Sequence, residues 1–391
     1  MYRPLEGVKV VDFSTAGAGP SCTKLLREYG ASDILIEPFG GNTTRTVFKV
    51  DFYNTGKRSI ILDLKTDEGM AALHRFLQDC DVFVSNYRTR ALKKLKLTYE
   101  DLHRLYPRLI HATITGFGEE GPAANHPGYD PVAFWARGGM LLDIAEKGTL
   151  VVPPAAVGDI ATGQALAGGI CAALYKREKT GEGVKVFTSL LAEAAYLNHD
   201  AIVQIQYGDK YPKSRKTPRR SMMNTYRCSD GKWIVIAAFD FQRYFWPLLT
   251  AVGRGDLVGD PRWTCLEDTM YEKAPEIVQI LDEAFGRMTQ DQAAAAMEAI
   301  DLPYNRVQST EELMDDPQCA ANKYIFTIAA SDGKRLRLPA NPVKFVNSDS
   351  GVESFPLGPR LGEHSKEILL EYGYSEAEIQ NMKDRGITGG F

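Results

Sequence analysis

The residue whose type and setting point most directly to chemistry is Asp159, in the run Val157-Gly158-Asp159-Ile160-Ala161-Thr162-Gly163. The small-residue stretch that follows, Gln164 to Tyr175, predicts a buried helix. A carboxylate is thereby expected at or beside a helix N-terminus, where exposed amides and the macrodipole stabilise an anion. An ionised carboxylate is a poor general acid but can be a nucleophile toward an activated acyl group. Asp is also a common N-cap residue, and the local sequence taken alone favours that structural role.

Other motifs carry partial signals. Gly17-Ala18-Gly19-Pro20-Ser21-Cys22 follows an apolar strand pattern and precedes a helix pattern, and Glu37 closes the next strand. The spacing is that of a dinucleotide fingerprint, in which an acid lies about 20 residues on. Cys22 stands where the third glycine belongs, however, and Pro20 directly follows the second. The loop can still bring backbone amides close to a different ligand. Gly116-Phe117-Gly118-Glu119-Glu120-Gly121-Pro122 lacks the Gly-Lys-Ser/Thr ending of a triphosphate loop. Tyr129 and Asp130, in Pro127-Gly128-Tyr129-Asp130-Pro131, form either a functional pair or a turn followed by a cap, and locally the turn is favoured. His126 reads as a surface or satisfied histidine. The basic residues between Asn86 and Lys94 either meet phosphates or form a solvated helix face. A serine-hydrolase elbow, Gly-x-Ser-x-Gly, is absent.

The elements that must position these residues alternate. Strand patterns cover Val8 to Phe13, Asp33 to Glu37, Ser59 to Leu62, Val82 to Val84 and Leu109 to Thr115. Helix patterns cover Cys22 to Tyr29, Thr66 to Gln78 and a capped segment from Thr98 to Leu105. This predicts an α/β fold with a parallel, doubly wound sheet, whose ligand sites lie beyond the carboxyl ends of the strands. The loops after Phe13, Glu37, Leu62, Ser85 and Thr115 are then the candidates. Val184 to Phe187 is a further strand. Residues 209 to 220 are basic and Pro-containing and read as a solvated linker. A second, smaller α/β pattern begins near Tyr226 with the strand Trp233 to Ala237. The tail carries a Lys323 to Ile328 strand, a Pro-rich crossing segment and a last helix opened by the capping box at Ser375.

Composition narrows the classes. The chain has 391 residues, 44% hydrophobic, with a formal net charge of −4. A large core is feasible, and nucleic-acid binding is not indicated. No membrane-spanning run and no secretory leader are visible, so the expected location is cytoplasmic. The six cysteines are scattered without a Cys-x-x-Cys pair, and the six histidines without a His-x-x-x-His pair, so neither a disulfide frame nor a metal site is expected.

Taken in series, the residues resemble one family. The order runs Leu5 to Phe13, Ala18-Gly19-Pro20, Ile36-Glu37-Pro38, Asn54-Thr55-Gly56-Lys57-Arg58-Ser59-Ile60, Leu62-Asp63-Leu64-Lys65-Thr66 and Asn86-Tyr87-Arg88. It continues through Gly116-Phe117-Gly118, Gly128-Tyr129-Asp130, Gly158-Asp159, Thr180-Gly181-Glu182-Gly183 and Leu361-Gly362-Glu363-His364. This is similar to the family III coenzyme A transferases, the formyl-CoA transferase and carnitine-CoA transferase group. The resemblance implies an interlocked homodimer, each chain having a large Rossmann-like domain and a smaller α/β domain. It divides the chain into a first part of the large domain over 1–208, a linker over 209–225, a small domain over 226–320 and a return segment over 321–391.

The resemblance also implies roles. Asp159 would attack a CoA thioester and carry acyl and CoA groups through anhydride and thioester intermediates. CoA, as a substrate and not a tightly bound cofactor, would contact Gly17, Ala18, Leu62, Asp63, Leu64, Lys65, Asn86, Tyr87, Arg88 and Lys94. By their charge, Lys65, Arg88 and Lys94 would meet phosphates. Tyr129, Asp130, Phe134 and Trp135 would form the substrate pocket. Oxalate-using members commonly carry Gln where Gly17 stands and a Gly-rich lid that is missing here. The related α-methylacyl-CoA racemases place His where Tyr129 stands, so racemisation loses one of its two bases. An inactive CoA-binding protein is the non-enzymatic alternative. Asn86 to Leu92, Ala133 to Gly139 and Val151 to Pro154 look most like the 2-hydroxyacyl-CoA transferases of amino-acid-fermenting anaerobes. Those enzymes move CoA between an enoyl- or arylacryloyl-CoA and an (R)-2-hydroxy acid.

Overall fold

The computed structural model describes residues 3–42, 45, 52–146, 149–153, 156–211, 214–329, 333–346 and 357–391. They fall into two compact units, one built from 1–140, 152–204 and 322–391 and the other from 141–151 and 205–321.

The first unit is an α/β structure around a six-stranded sheet. Its strands are β1 (Lys9–Phe13), β2 (Ser32–Glu37), β3 (Arg58–Ile61), β4 (Val82–Ser85), β5 (Ile110–Thr115) and β6 (Lys185–Ser189). They lie in the order β3-β2-β1-β4-β5-β6, and every pairing is parallel. Strand order reverses at β1, so the crevice beyond the ends of β1 and β4 is where such a sheet takes a ligand. Alternate residues of each strand feed two cores. Val10, Val82, Val84, Ile110, Ala112 and Ile114 face one layer, while Val11, Phe13, Ile34, Ile36 and Phe83 face the other. That two-residue period on central strands is why they read as nearly continuous apolar runs.

The helices of this unit are α1 (Ala18–Glu28), α2 (Asp67–Gln78), α3 (Thr89–Leu95), α4 (Tyr99–Leu105), α5 (Val157–Thr180) and α6 (Leu190–Leu197). Thr66 caps α2, and Thr98 with Asp101 forms the capping box of α4. Helix α1 starts four residues earlier than its sequence pattern suggests and takes in Gly19 and Pro20. The missing Pro20 N–H costs nothing there, because the first four amides of a helix have no partner within it. Helix α5 is longer than the predicted buried helix and only one face of it is covered: Leu166, Ala167, Ile170, Ala173 and Leu174 are buried, whereas Gln164, Ala165, Gly168 and Tyr175 are exposed. By length and composition alone it could cross a membrane. Its buried face nevertheless packs as a core helix on α1, β5 and β6. The α1–α5 contact depends on Gly163, where an added Cβ would stand 2.8 Å from the Ala18 carbonyl oxygen and 2.9 Å from the Cys22 nitrogen. The tail adds an antiparallel hairpin: Ile325–Ala329 matches the strand expected over Lys323 to Ile328, and its partner Arg335–Pro339 lies in the segment expected to be a Pro-rich crossing. The helices Ser365–Glu371 and Glu376–Asp384 close the second core.

The second unit has three antiparallel strands, β7 (Met223–Arg227), β8 (Trp233–Ala237) and β9 (Tyr304–Arg306). They are backed by α7 (Phe241–Ala251), α8 (Ala274–Phe285) and α9 (Gln290–Ala299). Its core is centred on Tyr226, Phe245, Trp263 and Phe285. The basic segment expected to be a solvated linker is docked here. The Arg215 guanidinium donates to both oxygens of Asp282 at 2.8 and 3.1 Å and lies over the Trp233 ring. Paired charge on this unit's own helix is what draws the segment in. All six cysteines are free thiols.

Candidate active site

A cavity of about 360 Å3 opens at the switch point, walled by the loops after β1, β4 and β5 and by the start of α5. Gly17, Ala18, Asn86, Tyr87, Arg88, Tyr129 and Asp159 all line it. The loop after β1 is held from both sides. Thr15 donates its N–H to Asn86 Oδ1 at 3.0 Å, and Asn86 Nδ2 donates back to the Thr15 carbonyl at 2.5 Å. Ala16 then takes φ +60°, a left-handed conformation that a residue with a Cβ adopts only where its surroundings fix it. Gly17 follows, and its Cα lies against the Asp159 carboxylate: an added Cβ would be 2.2 Å from Asp159 Oδ2. Tyr87 stacks on Phe13 at 4.4 Å between ring centroids, fixing the loop after β4 over the end of β1.

Asp159 is the third residue of α5 and not its N-cap. That place belongs to Ala156, at φ +71°, and no side chain caps the helix. The helix start was expected to keep Asp159 ionised, but burial, with the charge of Asp130 behind it, lifts its pKa to about 7. Desolvation outweighs the dipole here because the carboxylate loses water and faces a like charge.

The amides at the start of α5 serve Asp130 instead. This residue is 2% exposed. Burial raises its pKa, and the amides of Ala156, Gly158 and Asp159 and the indole of Trp135 pull the shift back without any of them closing to hydrogen-bond geometry. Gly158 makes the approach possible, since an added Cβ would fall 2.3 Å from Asp130 Oδ1 and 2.2 Å from Phe134 Cγ. A π-helical turn over Pro131–Ala136 carries Phe134 under the start of α5, with Trp135 next to it. Asp130 thus holds the N-cap position of that turn without a side-chain capping bond, and its carboxylate is buried beneath the site.

The remaining predicted residues lie elsewhere. Leu62 is buried in the core beyond β3; Asp63 donates its N–H to the Ile387 carbonyl, and its Oδ1 accepts from the Lys65 N–H. None of Leu62, Asp63, Leu64 or Lys65 lines the cavity, because β3 is two strands away from the switch point. Lys94 is exposed on the last turn of α3, outside the cavity wall, and Phe134 is core. Arg90, one of the basic residues left open as phosphate contacts, lines it, and so does His126, which the sequence read as a surface or satisfied histidine. The signal available for Arg90 was its two-residue spacing from Arg88 at a helix start. Arg88 donates to the Asn125 carbonyl at 3.3 Å, tying the loops after β4 and β5 together. The cavity therefore joins two guanidinium groups, Arg88 and Arg90, to a carboxylate of raised basicity. That arrangement suits a phosphate-bearing ligand with an electrophilic end.

Comparison with known proteins identifies the family. The model of "CoA-transferase family III" matches residues 5–365, and the chain belongs to that family; it is a family III CoA-transferase. It is 37% identical to the (R)-2-hydroxy-4-methylpentanoate CoA-transferase of Clostridioides difficile, covering 98% of this chain and 99% of that one. It is 34% identical to the cinnamoyl-CoA:phenyllactate CoA-transferase of Clostridium sporogenes, over 98% and 97% of the two chains. The crystal structure of a CAIB/BAIF family protein from Brucella suis superposes with a TM-score of 0.79 at 28% identity, covering 95% of this chain and all (100%) of that one.

Proposed function

We propose that this enzyme moves CoA from a 2-enoyl- or arylacryloyl-CoA to an (R)-2-hydroxy acid, with Asp159 as the covalent carrier. The observation that carries the mechanism is the Asp159 carboxylate, partly desolvated, raised to about 7 and facing the cavity against Gly17. A carboxylate of that basicity is a stronger nucleophile than an ordinary aspartate. Acylation also removes its charge and relieves the repulsion from Asp130.

The steps balance without a co-reactant. An Asp159 oxygen attacks the thioester carbonyl, and the C–S bond breaks to release CoA thiolate and leave a mixed anhydride. The thiolate attacks the Asp159 carbonyl carbon, forming aspartyl-CoA and freeing the donor acid. The acceptor carboxylate attacks that thioester, giving a second anhydride and thiolate again. The thiolate then takes the new acyl group, and the Asp159 carboxylate is restored. Every intermediate hydrolyses readily, so water must be kept from the site. Gly17, Ala18, Asn86, Tyr87 and Arg88 hold CoA in this reading, Tyr129 faces the acyl group, and two chains form the working homodimer. Similarity to two enzymes of apolar 2-hydroxy acids supports that substrate class.

The test is hydroxylamine trapping during turnover with cinnamoyl-CoA and phenyllactate, followed by mass analysis of the peptide containing Asp159. A modified Asp159 is expected. Product formation with Asp159 never modified overturns the mechanism, and CoA binding with no product identifies an inactive relative.

A further inference from the structure

Beneath the loop that touches Asp159 lies a buried charge cluster that the proposed chemistry does not use. The Lys57 ammonium and the Asp12 carboxylate form an ion pair at 2.8 Å, and both side chains are fully excluded from solvent. Lys57 also donates to Thr23 Oγ1 at 2.6 Å, Asn54 Oδ1 at 2.8 Å and the Pro20 carbonyl at 3.2 Å. Asp12 accepts from Thr23 Oγ1 at 2.6 Å and, on its other oxygen, from Ser14 Oγ at 2.5 Å. Asp33, buried on β2, adds a second carboxylate facing the same lysine.

These partners are not scattered. Pro20 and Thr23 are the first turns of α1, Ser14 opens the loop after β1, and Asn54 belongs to the turn before β3. Ser14 also underlies Gly19, where an added Cβ would stand 2.4 Å from the serine Cβ. From above, α5 presses on the same turn of α1 at Gly163. Gly17 lies between Ser14 and the first turns of α1, both bonded to the Lys57–Asp12 cluster, and meets Asp159 from its open side. A buried ion pair is weak evidence for stability, since its desolvation offsets much of its attraction. Its directional bonds, by contrast, define a geometry.

We propose that Lys57 is a positioning residue for the reaction: by tying Asp12 to the first turns of α1, it fixes Gly17 and, through Gly17, where the Asp159 carboxylate lies. This rests on the reading of Asp159 as the nucleophile. Lys57 touches no substrate. Much of the cavity wall comes from the loops after β4 and β5, so loosening the cluster acts on the placement of Asp159 more than on CoA binding.

The experiment uses the full-length enzyme with Asp12→Asn combined with Lys57→Met, which removes both charges and strands neither, and separately with Thr23→Val. Melting temperature, kcat, KM for acyl-CoA and the rate of hydroxylamine-trapped Asp159 adduct are measured. A folded double variant with KM within about threefold of wild type, kcat lowered about tenfold or more and a matching delay in adduct formation is the expected result. A merely stabilising pair predicts a changed melting temperature with kcat intact, and kcat within about threefold of wild type in the folded double variant overturns the proposal. Should the double variant not fold, Thr23→Val decides: kcat reduced at unchanged KM supports the role, and unchanged kcat refutes it. A wild-type protein that transfers CoA without any Asp159 adduct instead defeats the nucleophile reading, and this proposal with it.

Discussion

The Asp159 carboxylate rests on the bare Cα of Gly17, leaving no room for a side chain: a Cβ there would lie 2.2 Å from Oδ2 and 2.7 Å from Cγ. Residue 17 therefore sets the direction in which the carboxylate points. Gly17→Ala is expected to keep the fold, because the clash is with one side chain at a cavity wall. The same change should turn Asp159 away and cut kcat by about 10- to 100-fold, the scale of loss from small misplacements of reacting groups. Steady-state kinetics with the donor and acceptor acids checks this, and an unchanged kcat would show that Asp159 does not react in this orientation.

The raised pKa of Asp159 has opposite consequences for rate and stability. Only the ionised form attacks, so transfer should rise with pH up to about 7 and level off above it. For folding, a carboxylate whose native pKa exceeds its unfolded value of 3.8 contributes stability that is fully present below about pH 4 and lost as pH rises through about 7. Asp159→Asn removes that cost. It should abolish transfer while raising the melting temperature at pH 8 more than at pH 5. Equal shifts at the two pH values would remove the case for a desolvated carboxylate.

Asp130 supplies part of the perturbation, through its charge next to Asp159. Asp130→Asn should shift the rise of kcat toward lower pH, nearer the ordinary carboxylate range, while the fold survives because the amide keeps an acceptor for the facing amides of α5. A pH profile unchanged in its midpoint would mean that burial alone sets the Asp159 value.

What could be read from the chain, and what could not, follows the reach of the interactions. Strands β1 to β5 were legible because each is a short apolar run bounded by turn residues. The caps at Thr98 and Ser375 were legible because a cap and its partner lie within one turn. Helix α1 was read as starting late, since Gly17-Ala18-Gly19-Pro20 has the composition of a loop and only packing against α5 makes it helical. Asp159 stood out locally, but its partner Asp130 did not: as a sequence, Tyr129-Asp130-Pro131 is a turn, and the amides that face its carboxylate come from a helix that begins after an intervening excursion into the second unit. Leu62 to Lys65 had the expected place in the sequence, yet strand order, which no local pattern encodes, puts them at the far edge of the sheet. Lys57 shows the same limit, since a lysine in a turn reads as solvated until β1 and α1 close over it.

Gly158 is another glycine that close packing demands. An added Cβ would meet the Phe134 ring at 2.2 Å and Asp130 Oδ1 at 2.3 Å, the first on the π-helical turn and the second at its N-cap. Neither neighbour can swing away, because Phe134 is 2% exposed in the core and Asp130 is buried beside it. Gly158→Ala should therefore destabilise the protein by about 1–3 kcal/mol, the usual cost of overpacking, and impair transfer by lifting α5 off Asp130. Denaturant unfolding checks the first effect, and stability equal to wild type would mean that the end of α5 moves more easily than its contacts suggest.

Arg88 and Arg90 are the guanidinium groups on the cavity wall, placed at the start of α3. If they meet the phosphates of CoA, their contribution is the same in ground and transition states, because the phosphates lie far from the reacting carbonyl. Uniform binding of that kind appears in KM and not in kcat. Arg90→Ala should raise KM for acyl-CoA about tenfold at low salt with kcat nearly unchanged, and the penalty should shrink as salt screens the wild-type contact. Arg88→Ala should do the same and in addition free the loop at Asn125, which its side chain holds. A fall in kcat at unchanged KM for Arg90→Ala would place this residue at the reacting end of the cavity and reverse the orientation of CoA inferred here.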